Sequence, residues 1–194
     1  MEWIRPKFDL SSKWLREYTL GEGSTWWRYG QIGKNAMWKS GSIDGVILKS
    51  TPIYKDSRGW LCEFFRHDDI PKEFHPVMGY LSMTEPDIAR GPHEHHQQAD
   101  LFCFFGPSDF EVWLWDNRSH SNSYQTRQIL TLGMSNPAML IVPPGVVHAY
   151  RNVGKTQGLV YNFANQLYKG PGRKDEVDEI RHEVNPDSPY HLKY

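Results

Sequence analysis

The sequence predicts an all-β domain: a double-sheet jelly roll forming a barrel, with short peripheral helices. Three observations carry this. From about residue 44 onward, short runs rich in β-branched and aromatic residues alternate with clusters of Gly, Pro, Asn and Asp. Eight such runs are distinct, enough strands for two packed sheets. With 194 residues and no low-complexity linker or internal repeat, the chain suits one core and is short for two.

In chain order, residues 1–43 form an extension carrying five of the eight tryptophans, Trp3, Trp14, Trp26, Trp27 and Trp38. Those rings need cover, either on the chain's own barrel or on a neighbouring subunit. Within it, Ser11 and Ser12 cap a short amphipathic helix through Glu17. The barrel spans 44–170, with strands expected at 45–49, 60–66, 77–83, 101–105, 110–115, 126–132, 138–142 and 158–163. The tail, 171–194, is expected to be helical over 174–183, where Val177 and Ile180 stand three apart among charges.

The charge balance excludes some partners. Lys and Arg number 22 against 23 Asp and Glu, a net charge of -1, so nothing favours nucleic acid or an anionic membrane surface. The N-terminus resembles no signal peptide and no apolar run is long enough to cross a bilayer, so a cytoplasmic protein with a small-molecule partner is expected. Cys62 and Cys103 sit in apolar runs and are expected to be reduced core residues.

Chemistry concentrates in Gly91-Pro92-His93-Glu94-His95-His96 and in His148. On a strand, His93 and His95 project to one face, and His96 to the other. Asp100 follows, and Pro143-Pro144-Gly145 forms a turn that delivers His148 to the start of a strand. His93, His95, Asp100 and His148 form a set suited to a divalent metal: Fe, Mn, Ni or Zn. His67, His75, His120, His182 and His191 have no such company and are expected to be structural or surface residues.

His93-x-His95-x4-Asp100-x5-Gly106 and Pro143-x-Gly145-x2-His148-x3-Asn152 resemble the two cupin signatures, with Asp in place of the usual Glu. The resemblance implies the cupin-type jelly roll, a double-stranded β-helix. A narrower resemblance, over roughly 44–165, is to the dTDP-4-dehydrorhamnose 3,5-epimerases. It rests on Asp56-Ser57-Arg58-Gly59-Trp60 running to Glu63, on Leu81 to Thr84, on Ala89-Arg90-Gly91-Pro92-His93, on Asp116 to Tyr124, on Val142 to Tyr150, and on Tyr161 thirteen residues after His148.

That family resemblance implies a keto-sugar epimerase or isomerase of carbohydrate biosynthesis acting on a nucleotide-linked 4-keto sugar, with no cofactor required, working as a homodimer. His93 would be the base and Tyr161 the acid; Tyr161 also suits a plain core position. Arg58, Glu63 and Arg90 would hold the nucleotide end, and His148 would line the pocket. Asp178 and Asp187 are candidates for the carboxylate that orients His93. The chain departs from the family in two places. Asp100 stands where the family has a lysine, and His95 where it has a glutamine, so a bound divalent metal is expected in the lysine's stead. A metal-dependent cupin of another reaction type, such as a dioxygenase, and a non-catalytic sugar-binding cupin with its interior blocked by tryptophans are the alternatives.

Overall fold

A computed structural model of the chain describes residues 37–192. The expected helix at 11–17, and every tryptophan of the extension except Trp38, lie outside the described residues. Thirteen strands follow: β1 (Lys39–Ser40), β2 (Ile47–Ser50), β3 (Ile53–Asp56), β4 (Gly59–Cys62), β5 (Met78–Thr84), β6 (Ala89–Glu94), β7 (Asp100–Gly106), β8 (Asp109–Asp116), β9 (Thr126–Gly133), β10 (Ala138–Val142), β11 (Val146–Asn152), β12 (Gly158–Ala164) and β13 (Ile180–Arg181).

Two sheets face each other, ordered β1-β9-β8-β11-β6-β13 and β2-β10-β7-β12-β5, and β3 and β4 form a separate hairpin. Successive strands repeatedly cross between sheets: β6 pairs with β11, while β7 lies between β10 and β12. This is the jelly-roll connection pattern. The period of two divides each strand between faces. Phe102, Phe104, Phe110, Val112, Leu114, Leu140, Tyr150 and Val160 point inward and fill the main core.

The outer faces are covered as well. Leu101, Cys103, Phe105, Met139 and Ile141 pack beneath Phe64, Phe65, Ile70 and Phe74 of the segment after the hairpin. Strand β7 is therefore apolar on both sides, which explains its unbroken hydrophobic run. On the other sheet Trp113 and Trp115 point outward, under Trp38 and Tyr190. Among the described residues no tryptophan lies in the main core, so these residues give the non-catalytic alternative no support. Both cysteines are free.

The tail departs from expectation. Among the described residues the only helices are three-residue 3-10 turns, two of them in the tail, and 174–183 is irregular apart from β13 and the 3-10 turn that begins at His182. Just before that stretch Lys169, Gly170, Gly172 and Arg173 all have positive φ, so no α-helix runs into it from the barrel side. Ile180 and Arg181 instead pair with Glu94 and His93 on β6. Tertiary pairing overrides a weak helical pattern. None of these helices is long and apolar enough to cross a membrane.

Candidate functional site

The histidines meet where β6 and β11 run side by side, with His148 opposite His93. The register shifts between His148 and Tyr150, and Gly91 occupies the irregularity at φ 81°. A Cβ there would lie 2.6 Å from the His148 carbonyl oxygen, so only glycine lets β6 come this close. The proline-rich turn aims His148 as expected. Its Gly145 N–H also donates to the His95 carbonyl at 2.9 Å, locking the two motifs together. Asp100 enters from the opposite sheet as the first residue of β7.

Ligand nitrogens of His93, His95 and His148 lie within 4.8 Å of one another. Asp100 Oδ2 is 3.2 Å from His95 Nε2 and 3.3 Å from His148 Nε2. Two of the imidazoles are fixed from behind: His148 Nδ1 donates to the Val146 carbonyl at 3.1 Å, and His95 Nδ1 donates to the Asp178 carbonyl. Both rings thus turn Nε2 toward Asp100, and His148 Nε2 is buried with no hydrogen-bond partner. His93 differs. Among the described residues neither of its nitrogens is hydrogen-bonded, and its ring meets His148 edge-on at 4.4 Å.

Electrostatics separates the four groups. Burial, then the neighbouring His148, lowers the His93 pKa to about 2, so it stays neutral. Burial also works against a proton on His95, but the hydrogen bond and charge of Asp100 and the Asp178 carbonyl outweigh it and raise the pKa to about 9. Asp100 is held ionised: burial alone would raise its pKa, and the His148 and His95 imidazoles more than reverse that.

The rest of the mouth lies along β5, β6 and β12. Arg90 Nε donates to Thr84 Oγ1 at 3.0 Å and Arg90 Nη2 to the Met83 carbonyl at 2.7 Å, bridging the two sheets beside the histidines. Ser82 Oγ meets the Tyr150 hydroxyl at 2.9 Å. The Asn162 amide donates to Asp100 Oδ1 at 2.8 Å and to the Tyr80 hydroxyl oxygen at 2.6 Å. Burial, followed by the charge of Asp100, raises the Tyr80 pKa, so the phenol keeps its proton. A cleft of about 1650 Å³ opens here, lined by Tyr80, His95, Gln98, Tyr168, Asp178 and Arg181 among others. The sequence predicts no catalytic role for Asn162 or Tyr80; the polar alternation Tyr80, Ser82, Thr84 was the available signal.

Three sequence-predicted residues are not brought to the histidines. Tyr161 faces the outer side of its sheet and packs on Phe64 at 4.7 Å, among the outer-face apolar residues. Its neighbours Val160 and Asn162 take the inward positions, because successive strand residues alternate. Arg58 sits on the β3–β4 hairpin, 88% exposed, and pairs with Asp56. Glu63 is exposed just beyond that hairpin, 3.9 Å from Arg66. Of the two carboxylates proposed to orient His93, Asp178 instead serves His95 and its loop: its carboxylate accepts from the N–H groups of His96, Gln97 and Gln98 at 2.8–2.9 Å. Asp187 lies in the turn after the tail's last 3-10 helix, where its N–H donates to Asn185 Oδ1 at 3.0 Å. His96 is exposed, as its position predicts.

Comparison with known proteins follows the same lines. Residues 40–180 match the family model described as dTDP-4-dehydrorhamnose 3,5-epimerase. The chain is 33% identical over 134 residues to the spore coat polysaccharide biosynthesis protein SpsL of Bacillus subtilis, covering 69% of this chain and 87% of that one. It is 30% identical over 129 residues to the probable low-salt glycan biosynthesis epimerase Agl13 of Haloferax volcanii, covering 66% and 81%. Its fold is similar to the crystal structure of a dTDP sugar isomerase from Desulfovibrio desulfuricans, with a TM-score of 0.66 at 23% identity over 77% of this chain and 91% of that one.

Proposed function

Because the chain belongs to the dTDP-4-dehydrorhamnose 3,5-epimerase family, and is thus a sugar epimerase, we propose that it inverts a carbon beside the carbonyl of a nucleotide-linked 4-keto sugar, with His93 as the base. The observation that carries this is the freedom of His93. Its two companions are tied from behind and turned to Asp100, while His93 stays neutral and uncommitted at the mouth. Arg90, bridging the sheets next to it, supplies a guanidinium for a phosphate or sugar oxygen.

An imidazole of such low basicity needs an acidified C–H bond, and hence positive charge near the sugar carbonyl. Two sources are at hand. Metal-free, His95 carries a proton up to about pH 9 and stands in for the lysine of related enzymes. The second source is a divalent cation, Fe, Mn, Ni or Zn, held by His95, His148 and Asp100, with His93 as a fourth donor. The donors suit one: two imidazoles with Nδ1 bonded to backbone carbonyls turn Nε2 toward one carboxylate, as metal-ligating histidines do; His148 Nε2 has no other partner, and His95 Nε2 has the Gln98 amide nitrogen at 3.2 Å. Bound there, the cation would supply Lewis-acid polarisation of the carbonyl. A lone pair serves a cation or a proton but not both, so His93 acts as base only while it stays off the metal.

The reading includes a homodimer and a cytoplasmic setting. Tyr54, Trp60 and Leu61 stand exposed around Arg58 on the hairpin, an apolar surface that a second copy would cover. Two free cysteines suit a reducing compartment. The test is conversion, followed by proton NMR, of a panel of nucleotide 4-keto sugars that includes dTDP-4-dehydrorhamnose, with and without chelator and alongside metal analysis of the purified protein. Inversion of at least one sugar is expected. Stoichiometric metal with loss of activity in chelator would select the cation, and indifference to chelator would select the His95 imidazolium. No conversion of any sugar would contradict the reading.

A further inference from the structure

Epimerisation needs a proton acceptor on one face of the sugar ring and a donor on the other. His93 comes from the six-stranded sheet. The donor should therefore stand on the facing sheet and look inward, and Tyr161, packed on the outside against Phe64, does neither task. On that facing sheet, β5 alternates cleanly. Leu81 and Met83 are exposed outward, while Ser82 reaches the inward Tyr150 and Tyr80 reaches the inward Asn162. Tyr80 is half-exposed, lines the cleft beside His95, and is one strand removed from Asp100.

The hydrogen-bond bookkeeping at its hydroxyl is specific. The Asn162 amide nitrogen has two hydrogens, one directed at Asp100 Oδ1 and one at the Tyr80 oxygen. The Tyr80 oxygen is thus an acceptor in this contact, and among the described residues its own O–H has no acceptor. A buried amide aims a phenol whose proton remains free for whatever occupies the cleft.

Building on the epimerase reading above, we infer that Tyr80 is the proton donor of this site, positioned by Asn162 and set opposite His93. His93 removes the proton from the carbon next to the carbonyl, and the electron pair of that C–H bond moves into the carbonyl to give the enolate. The Tyr80 O–H bond then breaks, its proton forms the new C–H bond on the opposite face, and the carbonyl re-forms. The electron pair left on the phenolate oxygen is stabilised by the Asn162 N–H. Solvent takes the proton from His93 and returns one to Tyr80, so the net change is isomerisation alone. Asn162 is a positioning residue in this scheme and Tyr80 a catalytic one.

The decisive measurement uses the full chain and dTDP-4-dehydrorhamnose in D2O, scoring by NMR both deuterium incorporation and inversion. Tyr80→Phe should slow inversion by about 10²–10⁴-fold while His93 still exchanges the proton on its own face, so deuterium enters with retained configuration. Asn162→Ala keeps the Tyr80 ring and hydroxyl and should lower the inversion-to-exchange ratio by about tenfold, a readout that a purely structural role would not move. Inversion by Tyr80→Phe within about threefold of the parent, or loss of inversion in Tyr161→Phe with Tyr80→Phe intact, would overturn the assignment and leave the epimerase reading standing. An unmodified protein that neither exchanges nor inverts would overturn both.

Discussion

Three consecutive residues, His93, Glu94 and His95, enter two contrasting environments. His93 and His95 face the barrel mouth, where one imidazole is untied and the Nε2 of the adjoining His148 has no partner. Glu94 points to the outer side of the same sheet, where its buried carboxylate accepts from Asn117 Nδ2 and meets His182 Nε2, both at 3.0 Å. Tyr190 closes over that pair, its ring 4.5 Å from His182. Both clusters are polar and buried, but the outer one pairs its carboxylate with an amide and an imidazole and leaves only the Asn117 amide oxygen without a partner, whereas the inner one leaves imidazole nitrogens open. Satisfied polar groups fasten a structure, and unsatisfied ones wait for a ligand. The contrast separates the proposed site from the clasp that holds the tail.

Substitution on each side should break different properties. His93→Gln should cost about 10²–10⁴-fold in kcat for epimerisation and leave the melting temperature within about 3 °C of the parent. Glu94→Ala should do the reverse in kind. It strands Asn117 and His182 and should lower the free energy of unfolding by about 3 kcal/mol, measured by urea denaturation, with the tail becoming protease-sensitive first. Asp178→Ala lies between the two regions, since it releases three backbone N–H groups of the 96–98 loop and loosens the support of His95. A loss of about 1–2 kcal/mol in stability together with a raised KM is the expected pairing.

The smallest effect is a pH dependence at Asp116, the chain neighbour of Asn117. Burial would raise the Asp116 pKa, but Arg118, Ser121 and Ser123 donate to it and bring it below the usual 3.8. A carboxylate with a depressed folded pKa stabilises above its unfolded pKa, and that contribution is lost as pH falls through the folded value. Acid unfolding of Asp116→Asn should therefore show a stability profile flatter by about 1 kcal/mol below pH 4. An unchanged profile would remove Asp116 from the account of the 116–123 turn.

Much of this was legible in the sequence. The alternating runs located most strands, and Pro143-x-Gly145-x2-His148 located the third histidine because a turn needs those residue types at that spacing. The facing of Tyr161 was not legible. In Leu159-Val160-Tyr161-Asn162-Phe163 both faces are largely apolar, so the pattern does not say which residue looks inward, and one residue of slip reverses every side chain. The register of β12 against β7 shifts between Leu159 and Val160, opposite Gly106, a detail of pairing that no local signal encodes. The clasp was hidden for another reason. Glu94 and His182 are 88 residues apart, and a lone histidine in a charged tail has no mark of its partner. The expected helix over 174–183 failed because Asp178 and Ile180 have stronger partners in the loop at 96–98 and in β6 than along their own segment.

The central claim is proton abstraction by His93 next to a sugar carbonyl. Its most direct test is NMR-detected deuterium incorporation from D2O into dTDP-4-dehydrorhamnose and related nucleotide 4-keto sugars, with the parent protein and His93→Gln side by side. The account predicts deuterium at a carbon flanking the carbonyl with the parent and none above background with the variant. Equal incorporation by the two proteins, or none by the parent with any sugar, would contradict it.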